Sequence, residues 1–280
     1  MTMSDQSPIL HPEYGALAEE NALLCEELAH LLTTEHDLIH TEKHNLLALY
    51  QKKIGAWELR ALQAQVAASR ARRKLEMAQS AINLGRAPDW NEIEGLLELE
   101  FLLWQQKIAE AAENLAVAKD RLEHLLPAEK DREIKKLYYG LVKMLHPDLH
   151  PELRDEPRRL WMQTQTAYQA GDLDGLRALA LVVEKSPPAS AAPPTLDALR
   201  EQIRSLQKQI ENLKKRIAHI ESQPPFTLRR HLYDDEWVAA RREEIEARIK
   251  QLDAQHASLN KCLQALFSPD DNDGKLFGSN

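Results

Sequence analysis

Eight apolar residues, Leu196, Leu199, Ile203, Leu206, Ile210, Leu213, Ile217 and Ile220, recur at alternating intervals of three and four with charged and amide side chains between them. A seam of this kind falls on one side of a long helix and is buried only against another helix, so it commits the stretch to coiled-coil packing. Beyond Pro224 and Pro225, Val238, Ile245, Ile249, Leu252, Leu259, Leu263 and Leu266 resume a similar seam, interrupted by Arg241 or Arg242 and by His256. The two runs either zip together as a C-terminal coiled-coil hairpin over 195–267 or pair between chains, which makes a homodimer through heptads 196–220 and 238–266 a candidate assembly.

The remainder is equally suited to helices. Among 280 residues there are nine Gly and four Phe, while 29% are charged, and long unbranched side chains lose little freedom in a helix. The expected class is all-α: an elongated helical hairpin, a smaller helical module, and the C-terminal coiled-coil hairpin. Residues 1–12 read as a flexible N-terminus. The hairpin spans 13–127, its first arm ending at Leu84, Gly85 and Pro88, where a left-handed glycine precedes a residue that cannot continue a helix. Asp89 with Glu92 then opens the second arm as a capping box. Pro127 breaks that arm, and residues 128–185 form the module. Residues 186–194, with four prolines among small residues, read as a semi-extended linker, and the acidic, glycine-containing 268–280 as a disordered tail.

The net charge of −8 is spread along the chain and not gathered into a basic block, which argues against nucleic acid as a partner. The start of the chain has no basic region followed by an apolar run, and no stretch approaches about 18 uninterrupted apolar residues, so neither export nor a membrane span is expected. Cys25 and Cys262 lack the spacing of a zinc site or redox pair. A cytoplasmic location fits best, with no cofactor. His36, His40 and His44 lie four residues apart on one predicted helical face, a spacing that suits metal ligands in adjacent pairs; without a further ligand cluster they are weak metal candidates, and a pH-sensitive seam is the other use for them. No Ser/His/Asp set, carboxylate pair or phosphate-cradling glycine loop points to an enzyme.

The feature with most functional content is the tripeptide His146, Pro147, Asp148, which falls between two predicted helices. On the helix before it, Ile134, Leu137, Tyr138 and Leu141 form one stripe at i, i+3, i+4 and i+7, while Arg132, Lys135, Lys136 and Lys143 lie off the stripe. One face is built to pack and another is basic. After the loop come Trp161, Ala167 and Tyr168.

These residues resemble the J-domain (DnaJ-like) family of co-chaperones over about 55 positions. Ile134, the pair Lys135 and Lys136, Tyr138 and Leu141 fall where that family's second helix has Ile, a basic pair, Tyr and a core Leu. Trp161 stands for an aromatic on the third helix, and Ala167 with Tyr168 match its Ala-Tyr pair. The resemblance implies a module with a core of Ile134, Tyr138, Leu141, Trp161, Ala167 and Tyr168. It also implies a DnaK-type chaperone as partner, bound through His146, Pro147, Asp148, Lys135, Lys136, Lys143 and Arg132. In that picture Asp148 makes the ionic contact, Pro147 sets the loop, His146 orients it, and the lysines steer approach to an acidic surface. The chain itself would bind no ATP, and its helical arms would hold a client or fix location. The alternative is a coiled-coil scaffold whose J-like module only docks or is inactive. Three departures bear on the choice: Tyr139, Gly140 and Met144 stand where the family is often basic. The family's short first helix is also missing, and Leu122 with Leu125 are expected to supply its packing.

Overall fold

A computed structural model describes residues 12–151, 153–185 and 194–267. Most of the expected flexible start, most of the linker and the acidic tail lie outside these residues; Pro12, the last residue of that start, opens the first helix. Among the described residues every regular element is helical, and the all-α class holds. Helical hydrogen bonding runs without a break from Pro12 to Asn83 through α1 (Pro12–Asp37), a π segment (Leu38–Glu42), α2 (Lys43–Tyr50), a second π segment (Gln51–Gly55) and α3 (Ala56–Asn83). Then follow α4 (Trp90–Glu123), α5 (Ala128–Leu145), α6 (Glu156–Gln169), α7 (Leu173–Lys185), α8 (Leu196–Glu221), a 3-10 turn (Phe226–Leu228) with the single-turn α9 (Arg229–Leu232), and α10 (Asp235–Phe267).

The helix ends carry the chemistry their residues suggest. α3 stops in a Schellman motif: Gly85 takes φ +70° and donates to Ile82 O, and Arg86 donates to Ala81 O. The Asp89 carboxylate accepts from the amides of Asn91 and Glu92 and so caps α4. α6 ends the same way as α3, with Gly171 at φ +65° donating to Tyr168 O and Asp172 donating to Ala167 O; the Asp172 side chain then caps α7 through the Gly175 amide.

The described residues divide into two compact units, those within 12–46 and 124–227 and those within 47–123 and 228–267. In the second unit α3 and α4 form an antiparallel hairpin, so of the hairpin expected over 13–127 the first arm pairs with the second through α3, while α1 packs on α8 and α5 in the first unit. Ala78, Ile93, Leu97 and Phe101 are buried together, and Arg73 makes a two-bonded ion pair with Glu100 at 3.0 Å. The other side of α3 is covered by α10. Ion pairs Lys53–Asp235 and Arg60–Asp253, with the bond from Trp57 Nε1 to Glu246, advance together along both helices and show that they run parallel.

In the first unit, α8 lies against α1, also in parallel. Arg200, Gln207 and Lys214, seven residues apart, meet Glu13, Glu20 and Glu27, likewise seven apart. These flank a seam in which Leu199, Ile203, Leu206, Ile210 and Leu213 are buried. The seams expected to form a C-terminal coiled-coil hairpin over 195–267 are instead each covered within their own unit by a stretch of the N-terminal helical run, α8 by α1 and α10 by α3. The physical reason lies in α1. It is apolar along Leu17, Leu24, Leu28 and Leu31, and its acidic heptad positions complement those of α8. The heptads proposed for a homodimer, 196–220, are covered by α1 within one chain. Helices α5, α6 and α7 complete the unit and share one core with α1 and α8.

Candidate functional site

Residues 128–169 fold as two antiparallel helices with the tripeptide at the joint. Pro147 lacks an amide hydrogen to give and excludes helical backbone from the residue before it, so α5 must end at Leu145 and His146 takes an extended conformation, φ −67° and ψ 130°. The pairing of α5 with α6 is fixed by aromatic contacts. Tyr138 stacks on Tyr168 at 4.0 Å between ring centroids and on Trp161 at 5.9 Å, and the His146 ring meets Trp161 edge-on at 4.7 Å. Ile134, Tyr138, Leu141, Trp161 and Tyr168 are buried and Ala167 packs against them, so the expected core residues assemble. Thr164, at a position the resemblance makes apolar, is fully buried and satisfied: its hydroxyl donates to Leu160 O at 2.8 Å.

Within the loop, the Asp148 amide donates to His146 Nδ1 at 3.1 Å, and the amides of Leu149 and His150 donate to His146 O. His150 Nε2 lies 2.7 Å from Lys143 O and ties the loop back to α5. An Nδ1 that accepts carries no proton, so His146 is the neutral tautomer protonated at Nε2. Burial holds its pKa below the ordinary histidine value, and the neighbouring Asp148 carboxylate opposes this only in part. The Asp148 side chain is exposed. The loop therefore presents one carboxylate to solvent on a backbone clamped by a half-buried imidazole.

The four basic residues of α5 expected at the docking face divide into two pairs. Arg132 and Lys136 are exposed, and among the described residues neither is ion-paired; Arg132 Nε donates only to Ala128 O. Lys135 reaches Asp37 and Asp131 at 3.1 Å each, and Lys143 reaches Glu26 at 2.6 Å. Burial lowers the Lys135 pKa, but Asp37 and Asp131 outweigh it and the net shift is upward; the bond to Glu26 likewise raises Lys143. Both stay charged.

Two of the departures noted above have a packing role: Tyr139 and Met144 both pack against the core that α5 shares with α1, α6, α7 and α8. Apolar residues suit positions that pack against a core. Gly140 has open space about its Cα, so no close approach requires it. Leu125 does not supply the missing first-helix packing: it stays outside the core and is 48% exposed, and Leu122 belongs to the second unit. Leu28, Ala29 and Leu32 of α1 do so instead, contributed from about a hundred residues away in sequence.

Of the three histidines, His36 and His40 keep ring contact at 4.3 Å between centroids; His36 is also tucked against Tyr138 at 5.0 Å and Tyr168 at 5.2 Å, whereas His40 and His44 are exposed. The helix that carries them takes a π turn at Leu38–Glu42, which holds His40 and precedes His44. Among the described residues no group of three His, Cys, Asp or Glu side chains is placed to hold a metal. No family model matches the chain, and no curated protein or solved structure matches it. Among the described residues no helix is long and apolar enough to cross a membrane.

Proposed function

We propose that this chain is a co-chaperone that docks on a DnaK-type chaperone through the His146–Asp148 loop and stimulates its ATP hydrolysis. The observation that carries the reading is the exposed Asp148 carboxylate at the joint of an antiparallel helix pair, on a backbone held by His146 and a ring contact with Trp161. A loop so constrained loses little entropy on docking, and a carboxylate beyond the core is free to meet a cation on the partner. Arg132 and Lys136, exposed on α5, supply attraction to an acidic surface. The chain performs no bond chemistry of its own in this role. The remaining helices bind a client or fix location.

The pairing of Lys135 and Lys143 with α1 favours a second reading, a helical scaffold whose J-like module is docked permanently on its own arm. Single-turnover ATP hydrolysis by a DnaK-type chaperone, with this protein and with Asp148→Asn, separates the two. Stimulation that vanishes in the variant is the result expected of a co-chaperone. Equal and negligible rates with both proteins, across the candidate chaperones, would leave the scaffold.

A further inference from the structure

The helices packed around α5 place charges where those of an outside partner would lie. α1 runs antiparallel to α5, so Glu26 meets Lys143 at one end of the contact and Asp37 meets Lys135 at the other. Between these pairs Cys25, Leu28, Ala29 and Leu32 of α1 pack with Tyr138, Tyr139, Leu141 and Val142 of α5. Arg216 of α8 is held by two bonds of 2.7 Å to Glu35 of α1. The carboxylates of α1 thus answer half of the basic face.

From this geometry we infer that α1, backed by α8, is an internal cover on the basic face of α5, so that an acidic partner gains Lys135 and Lys143 only by taking them from Asp37 and Glu26. The inference rests on the co-chaperone reading for the identity of the partner and adds its regulation. The apolar contact under the pairs is extensive and stays in place; the pairs themselves are accessible to water, with the Lys135 and Lys143 side chains each 39% exposed. Ion pairs in that setting are weak singly and screened by salt, hence exchangeable for carboxylates of another protein. The cover works by occupying charge and needs no unfolding of α1.

Glu26 is the residue on which to test this, because its side chain is 56% exposed and its removal disturbs only Lys143, whereas Asp37 also accepts from the Tyr168 hydroxyl. Its neighbour Glu27 is the control: the same helix and the same charge, but paired to Lys214 of α8. The concentration of this protein needed for half-maximal stimulation of a DnaK-type ATPase is measured for the wild type, Glu26→Gln and Glu27→Gln, each with and without Asp148→Asn. The cover predicts that Glu26→Gln lowers that concentration roughly two- to five-fold, the range of one exposed pair. Glu27→Gln should leave it unchanged, and all stimulation should depend on Asp148. A wild type that is silent while Glu26→Gln stimulates would support the cover most strongly. Asp148-dependent stimulation with the same half-maximal concentration in all three proteins would overturn the cover and leave the co-chaperone reading standing. No stimulation by any variant would overturn both.

Discussion

Across the turn that ends α5, the backbone amide of Asp148 donates to Nδ1 of His146 at 3.1 Å, so the two polar members of the tripeptide are joined by the backbone of one and the ring of the other. The Asp148 carboxylate takes no part in that bond. Asp148→Asn should therefore leave stability to urea within about 0.5 kcal/mol of wild type. His146→Ala, which removes the acceptor and the contact with Trp161, should cost about 1–2 kcal/mol. Equal losses in the two variants would show that the loop is not held by the imidazole.

His36 makes stability depend on pH. Its ring is flanked by His40, Tyr138 and Tyr168, lies near Asp37, Glu35 and His146, and has both nitrogens buried without a hydrogen-bond partner. Burial and the neighbouring His40 push its pKa down to about 4, against 6.5 in an ordinary histidine. The unfolded chain then binds the proton more tightly than the folded one, so the folded state keeps its full stability above 6.5 and loses it as the pH falls towards 4. His146, also depressed, acts in the same direction. Proton-detected titration should find the His36 imidazole well below its ordinary range, and His36→Phe should flatten the acid limb of the stability curve. A His36 titration near 6.5 would contradict the buried placement.

Two glycines should respond to alanine with opposite signs. Gly171 has φ +65°, and a Cβ there would stand 3.1 Å from Leu126 Cδ1, so Gly171→Ala should destabilise by about 1–2 kcal/mol. Gly140 lies inside α5 with nothing within 4 Å of the added atom, so Gly140→Ala should stabilise by about 1 kcal/mol. Thermal melts of the two variants check both signs together.

The seam of α8 should behave as a core within one chain. Leu213 is 2% exposed, in the core that α8 shares with α1, and Leu213→Ala should lower unfolding free energy by about 2–5 kcal/mol. Because the covering helix belongs to the same chain, the mass in solution measured by light scattering should not change with the substitution. A shift from dimer to monomer would mean that the seam pairs between chains after all.

Much of this was readable before any coordinates. The glycine and aspartate at Gly85 and Asp89 act through their own backbone and side chain within four residues, and the stripe Ile134, Tyr138, Leu141 follows from the 3.6-residue turn. Trp161 and Tyr168 were legible as partners for that stripe once a short loop forced the two helices together. The packing role of α1 was not. Its apolar residues serve two neighbours at once, one line facing α8 and another facing α5, and the overlap blurs both periodicities; Asn21 interrupts the first line as well. The π segments shift the face of the helix in a way that no pattern in Leu38–Glu42 announces.

The sequence by itself determined that the chain is helical, where most of its helices stop, and that a clamped carboxylate sits between two of them, because these depend on interactions within a few residues. Tertiary structure decided which helix covers which. A heptad seam specifies that it must be buried but not against what, and the choice went to the helix whose acidic residues, Glu13, Glu20 and Glu27, match Arg200, Gln207 and Lys214 at the same seven-residue spacing. The same choice laid Glu26 and Asp37 on Lys143 and Lys135, because one helix turned both faces inward, and so decided how much of the basic face meets solvent.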